Sequence, residues 1–125
     1  MKTKKLINFI FFFCMTGVLL ISGCSSGGGG PSRNVAVTWN ANKDVTVNTV
    51  GGGYLVYYSD QQGFDTSSAN SVDVPYASGA STPTSTTLNL STGKWYILVV
   101  AYGDSVTGSK IYSPASSEYE IQVGN

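Results

Sequence analysis

The sequence predicts an all-β protein, an antiparallel β-sandwich preceded by a short helical leader. Three observations lead there. From residue 33 onward, short apolar runs alternate with polar residues at the period of two that a strand with one buried face requires. Clusters of Gly, Ser, Thr, Asn and Asp punctuate these runs at close spacing. No segment after the leader carries a 3.6-residue apolar period, and no internal repeat appears. About six short strands without helices bury their apolar faces as two packed sheets.

The leader occupies residues 1–23. Lys2, Lys4 and Lys5 form a positive start, and residues 6–21 are apolar but for Asn8, Thr16 and Gly17. That run is shorter than the roughly 20 apolar residues of a spanning helix, and no charged cluster follows it to stop transfer. It closes on Ile21-Ser22-Gly23-Cys24. Small residues at 22 and 23 also suit an ordinary secretory signal, but a cysteine directly after them resembles the lipobox of bacterial lipoproteins. The resemblance implies cleavage before Cys24, acylation of that residue with fatty acid such as palmitate, and membrane attachment through it. Ser25, where an aspartate retains such proteins at the inner membrane, implies the outer membrane of the bacterial cell envelope.

Residues 24–33 hold the lipidated cysteine and a Gly/Ser tether, Ser25-Ser26-Gly27-Gly28-Gly29-Gly30-Pro31-Ser32, without apolar residues or periodicity. Eight residues of this kind reach roughly 15 Å on average, which hangs the domain close to the membrane. The cut also changes the electrostatics. The chain has 7 basic and 7 acidic residues, but three lysines leave with the leader, giving a mature net charge of −3. A mildly acidic domain with so few basic residues lacks the footprint for nucleic acid. Of the two cysteines, Cys14 leaves with the leader and Cys24 is acylated, so no thiol remains for a disulfide.

The folded domain is expected over 34–125. Val35, Val37 and Trp39 alternate with polar or small residues over 34–40. A β-rich insert at 45–50 leads to the turn Gly51-Gly52-Gly53, and residues 54–58 form a strand dense in aromatic and β-branched side chains. Residues 59–70 read as a polar loop. Residues 71–74 alternate until Pro75 ends the ladder by removing a donor. Thr86, Leu88 and Leu90 mark one face of the next strand, and Ser91-Thr92-Gly93 turns the chain. Residues 95–102 are the longest apolar run, 103–110 read as a loop, and 118–123 close with Tyr119, Ile121 and Val123 on one face.

These segments, VAVTW, GYLVYYS, LNLSTGKWYILVVAY and EYEIQV, resemble an immunoglobulin-like fibronectin type III domain across 34–123. The resemblance implies a core containing Trp39, Tyr54, Val56, Tyr58, Leu90 and either Trp95 or Tyr96, and alternation adds Val37, Ile97 and Val99. The resemblance also implies a strand ahead of the tryptophan strand, where this chain has only Pro31, Ser32 and Arg33 after the glycines. Either the tether supplies a poor first strand or the 34–40 strand is an open sheet edge. In the long apolar run, counting back from Ala101 puts Trp95, Ile97 and Val99 inward, while the family's commoner spacing from Leu90 points to Tyr96. Small Ala101 suits a crowded core position and favours the Trp95 row.

Chemistry is sparse. There is no histidine, no serine in a nucleophile motif and no acid–base pair, so the chain reads as non-enzymatic, with no catalytic residues. Asp60 and Asp65 flank 61–64 without the dense oxygen spacing of a calcium loop and read as turn residues. No metal or other cofactor is expected.

With the Trp95 row inward, Tyr96, Leu98, Val100 and Tyr102 face outward, joined by Leu55 and Tyr57 on the adjacent strand. A solvated sheet face is normally polar, so this row of six is the candidate contact face. A shifted register, or cover from the loops at 59–70 and 103–110, would remove it. The expected function is a lipid-anchored, non-enzymatic binding or adhesion module of the cell envelope, with a protein or glycan partner and no nucleic acid. Two alternatives are a structural subunit assembling through the open 34–40 edge and a carbohydrate-binding accessory lipoprotein.

Overall fold

The computed structural model describes residues 30–124. Ile21, Ser22, Gly23 and Cys24 lie outside the described residues. Within them the chain forms seven strands: β1 (Ser32–Thr38), β2 (Gly53–Ser59), β3 (Asn70–Pro75), β4 (Ser85–Ser91), β5 (Gly93–Asp104), β6 (Lys110–Tyr112) and β7 (Tyr119–Val123). No helix occurs among the described residues, and all strand pairs are antiparallel. β1 and β4 make a two-stranded sheet. The second sheet runs β3-β2-β5, with β6 and β7 sharing the far side of β5.

The core lies between the two sheets. Val35, Val37, Leu88 and Leu90 come from the small sheet, and Tyr54, Val56, Ile97, Val99, Ala101, Ile121 and Val123 from the large one, with Trp39 and Val47 closing one end. Period-two burial is the reason these residues face inward together. Tyr58 and Trp95 pack partly buried at the margin, their rings 6.0 Å apart, and the Trp95 indole donates to Ser91 O at 2.9 Å. Trp39 meets Tyr54 at 5.2 Å and 48°, and its indole donates to Pro83 O at 3.1 Å. Tyr54 keeps its hydroxyl paired as an acceptor from Asn42 N at 2.6 Å, as a buried phenol requires.

Three local expectations change. Residues 45–50 fold as turns instead of a β-rich insert. The Asn42 carboxamide accepts from Asp44 N and the Asp44 carboxylate from Thr46 N, both at 2.9 Å. These side chains offer the backbone a local alternative to a ladder, which β-branched content at 45–47 does not overcome. Pro75 is the last residue of β3, opposite Gly53, rather than a residue beyond it. Lys110 to Tyr112, read as loop or left unassigned, form β6.

β6 and β7 are two pieces of one edge split around Pro114. Across the gap, Ser113 N donates to Ala101 O at 2.8 Å and Ser116 N to Val99 O at 2.9 Å. In return Ala101 N donates to Ser113 Oγ at 3.0 Å and Val99 N to Ser116 Oγ at 2.9 Å. Two serine hydroxyls thus stand where backbone carbonyls would be, and the central strand keeps its amides satisfied.

Strand directions give the molecule two poles. Thr92 N donates to Pro31 O at 3.1 Å, and Arg33 Nε to Gly124 O at 2.8 Å, so the described chain enters and leaves at one pole. The connections 39–52, 76–84 and 105–109 gather at the other. There Tyr76 N donates to Gly52 O at 2.8 Å and Thr82 Oγ1 to Asn48 Oδ1 at 2.9 Å.

Candidate functional site

The two outer sheet faces differ in chemistry. On the small sheet the outward positions are Ser32, Asn34, Ala36 and Thr38 opposite Ser91, Asn89, Thr87 and Ser85. Asn89 Nδ2 donates to Asn34 Oδ1 at 2.9 Å across this polar surface. On the large sheet, pairing of Leu55 with Val100, Tyr57 with Leu98 and Gly53 with Tyr102 puts the six candidate contact residues on one outer face. Tyr96 stands opposite Ser59 on one side and Glu120 on the other.

The structure corrects the expectation of an open patch of six residues, because the four that lie on β5 are buried on the outer side of the sheet. Tyr96, Leu98, Val100 and Tyr102 retain only 7%, 8%, 7% and 7% exposure, although none belongs to the core between the sheets. Leu55 and Tyr57 are partly buried. The residues inferred for the core sit apart from them: Val37, Tyr54, Val56, Ile97, Val99 and Leu90 are at most 1% exposed, and Trp39 4%.

Polar groups ring the apolar centre. At the loop pole, the Tyr102 hydroxyl donates to Asp73 Oδ1 at 2.7 Å. Lys110 Nζ lies 5.0 Å from the Tyr102 ring centroid, pairs with Asp104 at 2.8 Å and donates to Gly51 O. Tyr112 adds a tilted ring at 6.3 Å. Burial, then the bond to Asp73 and its charge, holds the Tyr102 phenol neutral far above the ordinary tyrosine value. At the entry pole Lys94 and Glu120 pair at 3.0 Å, and the Lys94 pKa is raised by that hydrogen bond and by the Glu120 charge.

The route of Tyr102 depends on Gly53. A Cβ at Gly53 would stand 2.8 Å from the Tyr102 hydroxyl and 2.7 Å from both Pro75 Cα and Val74 O. Glycine leaves the gap through which the ring crosses β2 to reach β3, as aromatic side chains cover strand glycines elsewhere.

Sequence reasoning missed the rim of Asp73, Asp104, Lys110 and Tyr112. Asp73 had a local signal, since alternation in β3 opposes it to Val72 and Val74. Lys110 had none, because its strand is three residues long. The apolar centre is thus bordered by charged and aromatic side chains. Among the described residues no three His, Cys, Asp or Glu gather as a metal site. Asp65 is occupied in a turn, its Oδ1 accepting from Ser67 N at 2.8 Å. Comparison with protein-family models, with curated proteins and with solved structures finds no match.

Proposed function

We propose that this chain is a lipid-anchored, non-enzymatic binding module of the bacterial cell envelope, a fibronectin type III-like domain held to the outer membrane through acylated Cys24. The observation that carries the reading is the contrast between the outer faces. One sheet turns Ser, Thr and Asn outward, and the other turns Leu55, Tyr57, Tyr96, Leu98, Val100 and Tyr102 outward. Of this second face, Leu55 and Tyr57 are only partly buried and are the part within reach of a partner, whereas the four β5 residues are covered within the domain.

The fold supports the domain type. β1, followed directly by the buried Trp39, pairs with β4, and β3-β2-β5 with the split β6/β7 edge forms the facing sheet. On this reading, a leash entering beside Thr92 would turn the three connections at the far pole away from the membrane.

Two experiments test the two halves separately. Fatty-acid label should enter the wild-type chain and not Cys24→Ser; equal labelling would end the anchoring claim. For the contact face, a photo-crosslinking side chain at position 57 of the full-length chain, irradiated in bacterial membranes, should give a discrete adduct. The same group at position 36, on the polar face, is the control. No adduct from 57, or equal adducts from both, would remove the face as a site.

A further inference from the structure

We infer that the free edge of β4 pairs with the β4 edge of a second copy, antiparallel, joining two small sheets into one of four strands. This goes beyond the contact face, which belongs to the other sheet, and either can fail alone.

The first ground is which backbone groups remain outward. Thr92 N to Pro31 O and Trp39 N to Thr84 O are ladder bonds at the two ends of the β1–β4 pair. They set its parity: Thr86, Leu88 and Leu90 turn their amides and carbonyls toward β1. Those of Ser85, Thr87, Asn89 and Ser91 therefore turn the other way. Among the described residues no strand lies on that side.

The second ground is how the edges of the molecule are protected. Proteins guard exposed edges with charge, proline or broken pairing. β3 carries Asp73 and ends in Pro75, and the β6/β7 edge carries Lys110 and Glu120 and is split around Pro114. β1 carries Arg33. β4, STTLNLS, has no charge, no proline and no glycine over seven residues. Among the described residues it is the one edge strand with none of these devices.

The occupant follows from self-complementarity. A two-fold axis at Leu88 sets Thr87 opposite Asn89 and Ser85 opposite Ser91 of the second copy. These are the residues whose backbone groups point outward, so the ladder closes in correct parity. No charge meets its like across the axis. The side chains brought together on the solvent face are hydroxyls and carboxamides that hydrogen-bond in cross-strand pairs.

The test is sedimentation of the full-length chain in excess detergent at concentrations up to the order of 100 μM. Wild type should form a dimer. Thr87→Pro removes an outward amide without touching the bond network to β1, and Thr87→Lys places like charges near the axis. Each should weaken dimerisation by about tenfold or more, with the β-sheet spectrum retained. If proline disturbs the fold, the lysine variant decides. Ala36→Pro, the matching change on the β1 edge, and Tyr57→Ser, on the apolar face, should leave the dimer intact. A monomeric wild type, a dimer unaffected by Thr87→Lys, or a dimer lost with Ala36→Pro or Tyr57→Ser would overturn the inference.

Discussion

The Tyr102 hydroxyl reaches Asp73 Oδ1 at 2.7 Å by passing over Gly53, so β5 and β3 are joined across the strand between them. The bond ties the loop end of the large sheet together at the rim of its apolar face. It also means that Tyr102 is held by the fold, leaving Tyr57 as the better probe of contact.

Tyr102→Phe should remove that bond while keeping the ring over Gly53. Because Asp73 is exposed and regains water, the expected cost is about 1 kcal/mol. Urea unfolding should show a lower midpoint with an unchanged slope. No loss of stability would mean that the bond contributes nothing net.

Alkaline pH should destabilise the domain through its buried tyrosines. Burial raises the folded pKa of both Tyr54 and Tyr102 above the ordinary value of 10.0. The folded state thus holds protons that the unfolded chain gives up, so their contribution is fully present below pH 10 and is lost as pH rises through the folded values. Melting temperature should fall above about pH 10, and less steeply in Tyr102→Phe. A melting temperature flat to about pH 11 would contradict this.

Gly53→Ala should cost about 1–3 kcal/mol, because its Cβ meets backbone of β3 as well as the Tyr102 hydroxyl. Backbone cannot swing aside as a side-chain tip can. Thermal melts of Gly53→Ala and of Gly53→Ala/Tyr102→Phe separate the two clashes: most of the loss should persist in the double variant.

Ser113→Ala and Ser116→Ala should each leave one amide of β5 without its acceptor, Ala101 N and Val99 N respectively. A buried donor left unpaired costs about 1–3 kcal/mol. Hydrogen exchange should accelerate at the named amide more than at Leu98 or Val100. Uniform acceleration along β5 would show that the hydroxyls act only through general stability.

The sequence by itself determined what repeats locally. Alternation in the 95–102 run was enough to separate Ile97, Val99 and Ala101 from Leu98, Val100 and Tyr102, and the six outward residues could be named before their strands were paired. Such inference is possible because side-chain direction in a strand depends only on position parity. At 45–50 the same logic misled: Val45, Thr46 and Val47 read as β, but the Asn42 and Asp44 side chains captured the nearby amides. Only the tertiary structure decided the rest. That β4 is an unprotected edge follows from which strands are not beside it, and that Lys110 covers Tyr102 follows from a register three residues long. Neighbours across a sheet come from distant parts of the chain, so no local pattern records them.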